Sequence, residues 1–172
     1  LSLNLNLDIQ HTQIASMTTS EPIVATAFVS SGLTIGTGSL APRLYYRTRT
    51  ATGTFGNFIE VTGTTTESGN YTFYISALPL GTVCQYYIAA QDANSSIVKT
   101  LPVGGGGFNP PGSTPPTTFY QFFVAPLTVA MYDEANNITN WTSTSGWNIT
   151  TTKYVSAPSS FTDSPGGNYA NN

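Results

Sequence analysis

Charge is what this chain has least of. Only 8% of its 172 residues are Asp, Glu, Lys or Arg, against roughly 25% in an ordinary soluble domain. Five are basic: Arg43, Arg47, Arg49, Lys99 and Lys153. So few cations make a poor track along a phosphate backbone, and a formal net charge of −3 opposes one. Nucleic acid and anionic membrane surfaces are therefore discounted as partners. No apolar run approaches the ~20 residues of a membrane helix, so no membrane insertion is expected. Apolar residues never recur at i, i+3 and i+4 over a useful length, which leaves no helix to place.

Reactive side chains are scarce as well. Cys84 is the single cysteine, so no internal disulfide can form, and its parity marks it as a small core hydrophobe. His11 is the single histidine, which rules out a histidine metal cage. No Ser/His/Asp or Cys/His set can be assembled, and no acidic pair stands out for glycoside hydrolysis. The chain is read as not an enzyme. No signal-peptide pattern opens it, so it is read as a mature protein or a fragment.

What it has is Thr, Ser, Asn and Gly for polarity, with 10 Tyr and 9 Phe. These favour strands and the turns between them, and such charge-poor chains are typical of secreted and cell-surface proteins. Val83–Gln91 alternates strongly after the corner Leu78-Pro79-Leu80-Gly81-Thr82, with Cys84, Tyr86, Ile88 and Ala90 on one face and Val83, Gln85, Tyr87, Ala89 and Gln91 on the other. A strand with one bulky apolar face needs a second sheet to cover it, so this one is placed at the centre of a sandwich. Arg43–Arg49 places Leu44, Tyr46 and Thr48 inward and Tyr45, Arg47 and Arg49 outward, since burying guanidinium groups is costly. Asn70–Ala77 alternates too, with Tyr71, Phe73 and Ile75 on one face. Pro22–Val29 is apolar on both parities, which leaves its inner face open. Thr64–Gly69 reads as a turn. The Gly/Pro stretch Val103–Pro116 lacks the Lys and the strand–loop–helix context of a phosphate loop. It reads as a long excursion between two halves of one edge strand, completed by Thr118–Ala125. Together these predict an all-β, antiparallel sandwich over residues 1–126.

Leu1, Leu3, Leu5, Leu7 and Ile9 share one face of a strict alternation. This strand is either a plain edge strand or the best candidate for an intermolecular contact by strand addition. Tyr45, Tyr74, Tyr87, Trp141 and Trp147 could serve as sugar platforms, although packing is the simpler role. The Asn-X-Ser/Thr triplets, such as Asn70-Tyr-Thr, are expected by chance in so Asn- and Thr-rich a chain.

The corner Leu78-Pro79-Leu80-Gly81-Thr82 and the Tyr-rich strand after it resemble the E–F corner of fibronectin type III and immunoglobulin-like domains. The usual tyrosine two positions after the Thr is replaced by Cys84, with Tyr86 two further on. Pro42–Arg47, Tyr71–Ile75, Tyr86–Asp92 and the Gly/Pro excursion together resemble a module of large secreted bacterial proteins, over roughly residues 8–125. From Leu127 on, Tyr132-Asp133-Glu134, Gly146-Trp147, Ser156–Ser160 and Asp163–Tyr169 resemble the opening of a jelly-roll of the MAM or carbohydrate-binding type. Residues 127–172 are thus expected to be an incomplete jelly-roll-like segment, since about 45 residues cannot close an independent core. That resemblance places a structural Ca²⁺ at Asp133, Glu134 and Asp163; no other cofactor is expected. It implies a non-catalytic spacer, structural or adhesion module of an extracellular or cell-surface bacterial protein. Its partners would be neighbouring domains or subunits of the same protein, or glycans. The alternatives are a subunit of an extracellular filament built by strand complementation, and a carbohydrate-binding accessory module of a secreted hydrolase.

Overall fold

The computed structural model describes residues 6–126, 138, 147–152 and 159–162. The chain divides into two compact units, Leu1–Leu127 and Thr128–Asn172. In the first unit, β1 (Leu7–Gln10), β2 (Ile23–Ser31), β6 (Asn70–Ile75) and β5 (Thr64–Glu67) form one antiparallel sheet, in the order β1-β2-β6-β5. The second sheet runs β4 (Ile59–Thr62), β3 (Arg43–Thr50) and β7 (Thr82–Gln91). On the far side of β7 lie β8 (Val98–Leu101) and then β9 (Tyr120–Val124). This is the strand order of immunoglobulin-like sandwiches.

The core lies between the two sheets. One supplies Leu7, Ile9, Ile23, Val29, Tyr71, Phe73 and Ile75; the other supplies Leu44, Tyr46, Cys84, Tyr86, Ile88, Phe122 and Val124. The central strand β7 is buried at every position except Gln85. The ambiguous β2 turns Ile23, Ala25, Ala27 and Val29 inward and leaves Val24 and Phe28 outside. Volume explains this choice: the small Ala25 and Ala27 lie beside Phe73 and Tyr71 of β6 and leave room for those rings. Thr64–Glu67 is a strand rather than the expected turn. It pairs with β6 through a register shift between Thr64 and Glu67, and such a bulge interrupts the alternation by which strands are recognised.

β8 and β9 are the two halves of one edge strand. Gln91 pairs with Val98 and Ile88 with Leu101, then Tyr86 pairs with Tyr120 and Thr82 with Val124. Residues 102–119 leave the sheet between them and fold over its outer face. The first strand is also split. After β1 the chain crosses over, and Met17 forms a parallel bridge to Val124, with Met17 N–H donating to Phe123 O at 2.8 Å and Ala125 N–H to Met17 O at 2.9 Å. The outer edge of β9 is thus filled.

In the second unit, β10 (Asn148–Thr150) pairs antiparallel with β11 (Ser160–Thr162). Leu1, Leu3 and Leu5, Trp141, and the proposed calcium ligands Asp133, Glu134 and Asp163 lie outside the described residues.

Candidate functional site

His11 sits where the first strand crosses from one sheet to the other. Its Nδ1 lies 2.6 Å from the Thr26 carbonyl of β2, and its Nε2 lies 2.8 Å from the Tyr86 hydroxyl of β7. A carbonyl only accepts, so Nδ1 carries the proton and the neutral Nε2 accepts from Tyr86 O–H. The same hydroxyl oxygen accepts the Ile14 N–H at 2.9 Å. Burial pushes the His11 pKa down, partly offset by the hydrogen bond to Thr26. Tyr86 thus provides the pinning that its absent neighbour would give in a tyrosine corner. The corner itself is held by Thr82 Oγ1 donating to Pro79 O at 2.6 Å and by Gly81 N–H donating to Val124 O at 2.6 Å.

Three other groups are equally occupied. Cys84 is fully buried, and that burial pushes its thiol up to about 12, so no thiolate is available as a nucleophile. Asp92 is fully buried in the turn after β7. Burial alone would raise its pKa. The N–H groups of Ile97, Ser96 and Asn94 and the Ser96 hydroxyl outweigh this and hold its carboxyl below the usual range. Arg43 shares the parity of Arg47 and Arg49 and yet is 5% exposed, a burial that is costly for a guanidinium. It pairs with Glu60 at 2.7 Å and donates to the carbonyls of Ala41 and Ser39 at 2.6 and 3.0 Å, which compensates its burial. Among the described residues, no buried side-chain polar atom lacks a partner.

The outer face of the β3–β7 sheet carries a second cluster: Tyr45, Tyr87 and Ala89, with Phe58 and Phe119 packed against them. The excursion covers it. Tyr45 O–H donates to Pro111 O at 3.0 Å and Tyr87 O–H to Gly112 O at 2.8 Å. The Gln91 amide grips Asn109 from both sides, Nε2 donating to Asn109 Oδ1 and Oε1 accepting Asn109 N–H, each at 3.0 Å. Tyr45 and Tyr87 are therefore packing residues beneath a lid, not open sugar platforms. Tyr74, on the other sheet, is 64% exposed, and Trp147 is 53% exposed.

At the edge of that lid, the half-buried Arg47 guanidinium lies 4.6–4.9 Å from the ring centres of Phe55, Phe58 and Phe119. The Arg49 guanidinium lies 5.1 Å from Phe55. No family model matches the chain, and no curated protein matches it. Function must come from the geometry. This cation–aromatic group was not picked out from sequence; its signal was two Arg on one strand face followed by Phe55 and Phe58 in a Gly-rich turn.

Of the strand proposed for intermolecular contact, Leu7 and Ile9 are 2% and 5% exposed and sit in the chain's own core, with β1 paired to β2 from Leu7↔Ser31 to Gln10↔Phe28. At one end of the sandwich lies a cleft of about 590 Å³ lined by Phe28, Leu33, Ile35, Glu67 and Tyr71 among others. Among the described residues, no group of three or more His, Cys, Asp or Glu could hold a metal ion.

Proposed function

We propose that the chain is a non-catalytic structural module that holds neighbouring parts of a secreted or cell-surface protein apart and presents its loops. The observation that carries this reading is the commitment of the sandwich's reactive side chains to structure. His11 staples the strand crossing, Cys84 fills the core, and Asp92 caps a turn. Both halves of the N-terminal segment are tied in, β1 to β2 and Met17 to β9. Leu7 and Ile9 already occupy their own core, which favours a spacer over a subunit that donates its first strand.

Light scattering of the full chain, together with unfolding of single molecules under force, tests the reading. A monomer whose sandwich resists load and opens in one cooperative step is expected. Polymers that a peptide of residues 1–9 caps or dissolves would establish the filament instead. Turnover of a glycan or peptide substrate, abolished in His11→Gln, would establish an enzyme.

A further inference from the structure

Next to the part of its sheet that the excursion covers, two rows of side chains cross the same outer face; Arg47, Arg49, Gln85 and Gln121 are half-buried there, Val83 is buried and Phe123 is exposed. Arg47, Gln85 and Gln121 are register partners across β3, β7 and β9; Arg49, Val83 and Phe123 form the next row. In the first row Arg47 Nε and Nη2 donate to Gln85 Oε1 at 3.1 and 2.9 Å, and Gln85 Nε2 donates to Gln121 Oε1 at 3.2 Å. The relay runs in one direction, from cation to amide to amide. In the second row Arg49 donates through Nη1 to the carbonyls of Thr50 and Ala51 at 3.0 and 2.6 Å. Each guanidinium has five N–H donors, so both keep donors to spare. Among the described residues the ion pairs are Arg43–Glu60 and Lys99–Asp8; neither Arg47 nor Arg49 has a carboxylate.

Two guanidinium groups fixed by aromatic rings and neutral acceptors, without counter-charge, are preorganised for anions. Their residues stand two apart on one strand, so their Cα atoms are about 7 Å apart. Beside them Phe123 is 44% exposed, and the Phe55 ring lies against both cations. The shelf therefore offers cations, planar amides and apolar ring surface together.

We propose that this shelf binds a carboxylated polysaccharide, a polyuronate chain. Arg47 and Arg49 would take its ring carboxylates, Gln85 and Gln121 its hydroxyls, and Phe55 and Phe123 the C–H faces of its sugars. A saccharide fits better than an acidic peptide because the backbone edges beside the shelf are already engaged at several points, which disfavours strand addition. The Thr48 carbonyl already accepts Gly56 N–H at 3.0 Å. On the far side Gln13 donates to Gln121 O at 2.7 Å, Ser16 Oγ accepts Phe123 N–H at 3.1 Å, and Met17 bridges Val124. The proposal goes beyond the spacer reading and does not need it, because a module without this ligand would still test as a cooperative monomer.

Titration calorimetry of the full chain with polygalacturonate tests it, with dextran and polyglutamate as the neutral and acidic-peptide comparisons. Binding to polygalacturonate that weakens with added salt, and none to dextran, is expected. Arg49→Gln should weaken it about tenfold or more, the scale of one lost charge-assisted hydrogen bond. The Arg49 guanidinium bonds to carbonyls of its own turn and lies over Phe55, with no long-range hydrogen bond or ion pair among the described residues, so the melting temperature should fall little. Arg47→Lys, which keeps the charge but not the fork, should weaken binding as well. Absence of binding, or binding unchanged in Arg49→Gln, overturns the proposal. Polyglutamate binding as tightly as polygalacturonate overturns it in favour of an acidic protein partner.

Discussion

The two outer faces of the sandwich come from strands of the same alternation and meet opposite fates. On the β2–β6 sheet, Val24, Phe28 and Tyr74 are 56%, 40% and 64% exposed. On the β3–β7 sheet, Tyr45, Tyr87 and Ala89 occupy the corresponding outward positions and are 7%, 1% and 0% exposed. Outward parity says only that a side chain points away from the sandwich core. Whether it meets water depends on what else the chain folds over it. Here a Gly/Pro excursion, anchored by two tyrosine hydroxyls and one glutamine amide, builds a second small core outside the first.

The sharpest way to break that comparison is to truncate one tyrosine on each face. Tyr87→Ala should cost about 3–5 kcal/mol, the range for a fully buried aromatic. Tyr74→Ala should cost less than about 0.5 kcal/mol, as for most surface changes. Urea denaturation reads both. Equal costs would mean that the excursion covers the sheet without stabilising it. Tyr87→Phe separates the ring from its hydroxyl and should lose about 1 kcal/mol, the usual net value of one hydrogen bond.

A smaller effect sharpens the same contrast at the backbone. Gly112 lies over Ala89 with φ +82°, and a β-carbon there would overlap the Ala89 β-carbon. Gly81 has nearly the same φ, +87°, but nothing within 4 Å of its β-carbon position. Gly81→Ala should therefore cost only left-handed strain, about 1 kcal/mol. Gly112→Ala adds steric overlap and should cost about 2–4 kcal/mol in all. Amide exchange in residues 102–119 should accelerate in Gly112→Ala and not in Gly81→Ala.

Much of the first unit was legible because its strands carry period-two patterns with bulk on one side. Residues 70–75 and 82–91 show this plainly, and the split edge strand showed in the apolar stretches on either side of the Gly/Pro run. The strand β2 was legible but its inner face was not, because its bulky Val24 and Phe28 face outward while Ala25 and Ala27 face the core. Only the sizes of Phe73 and Tyr71 on a distant strand decide that. The bulged β5 was missed because a register shift breaks the alternation. Arg43 breaks the rule that guanidinium groups stay in water, because carbonyls from the turn before it and Glu60 from β4 converge on it. The Arg47–Phe group depends on Phe119, which lies 72 positions further along the chain and arrives only when the excursion returns.

The smallest effect lies at the seam between the two sheets. His11 bonds Thr26 of the open sheet and Tyr86 of the covered one, and the rings of Tyr86 and Tyr120 are the titratable groups facing it, each 5.6 Å away. Burial lowers its pKa from the ordinary 6.5. The unfolded chain therefore takes up the proton first, and the folded state takes it only at lower pH. The stability this group contributes is complete above about pH 6.5 and declines as pH falls below it, because the unfolded state then binds more protons. The hydrogen-bond geometry gives the reason. A protonated Nε2 must donate to the Tyr86 oxygen, which already accepts Ile14 N–H, and the tyrosine proton then loses its acceptor. Unfolding free energy measured between pH 7.5 and 5 should fall in the native chain and stay nearly level in His11→Gln. An equal fall in both would place the acid sensitivity elsewhere and reduce His11 to packing.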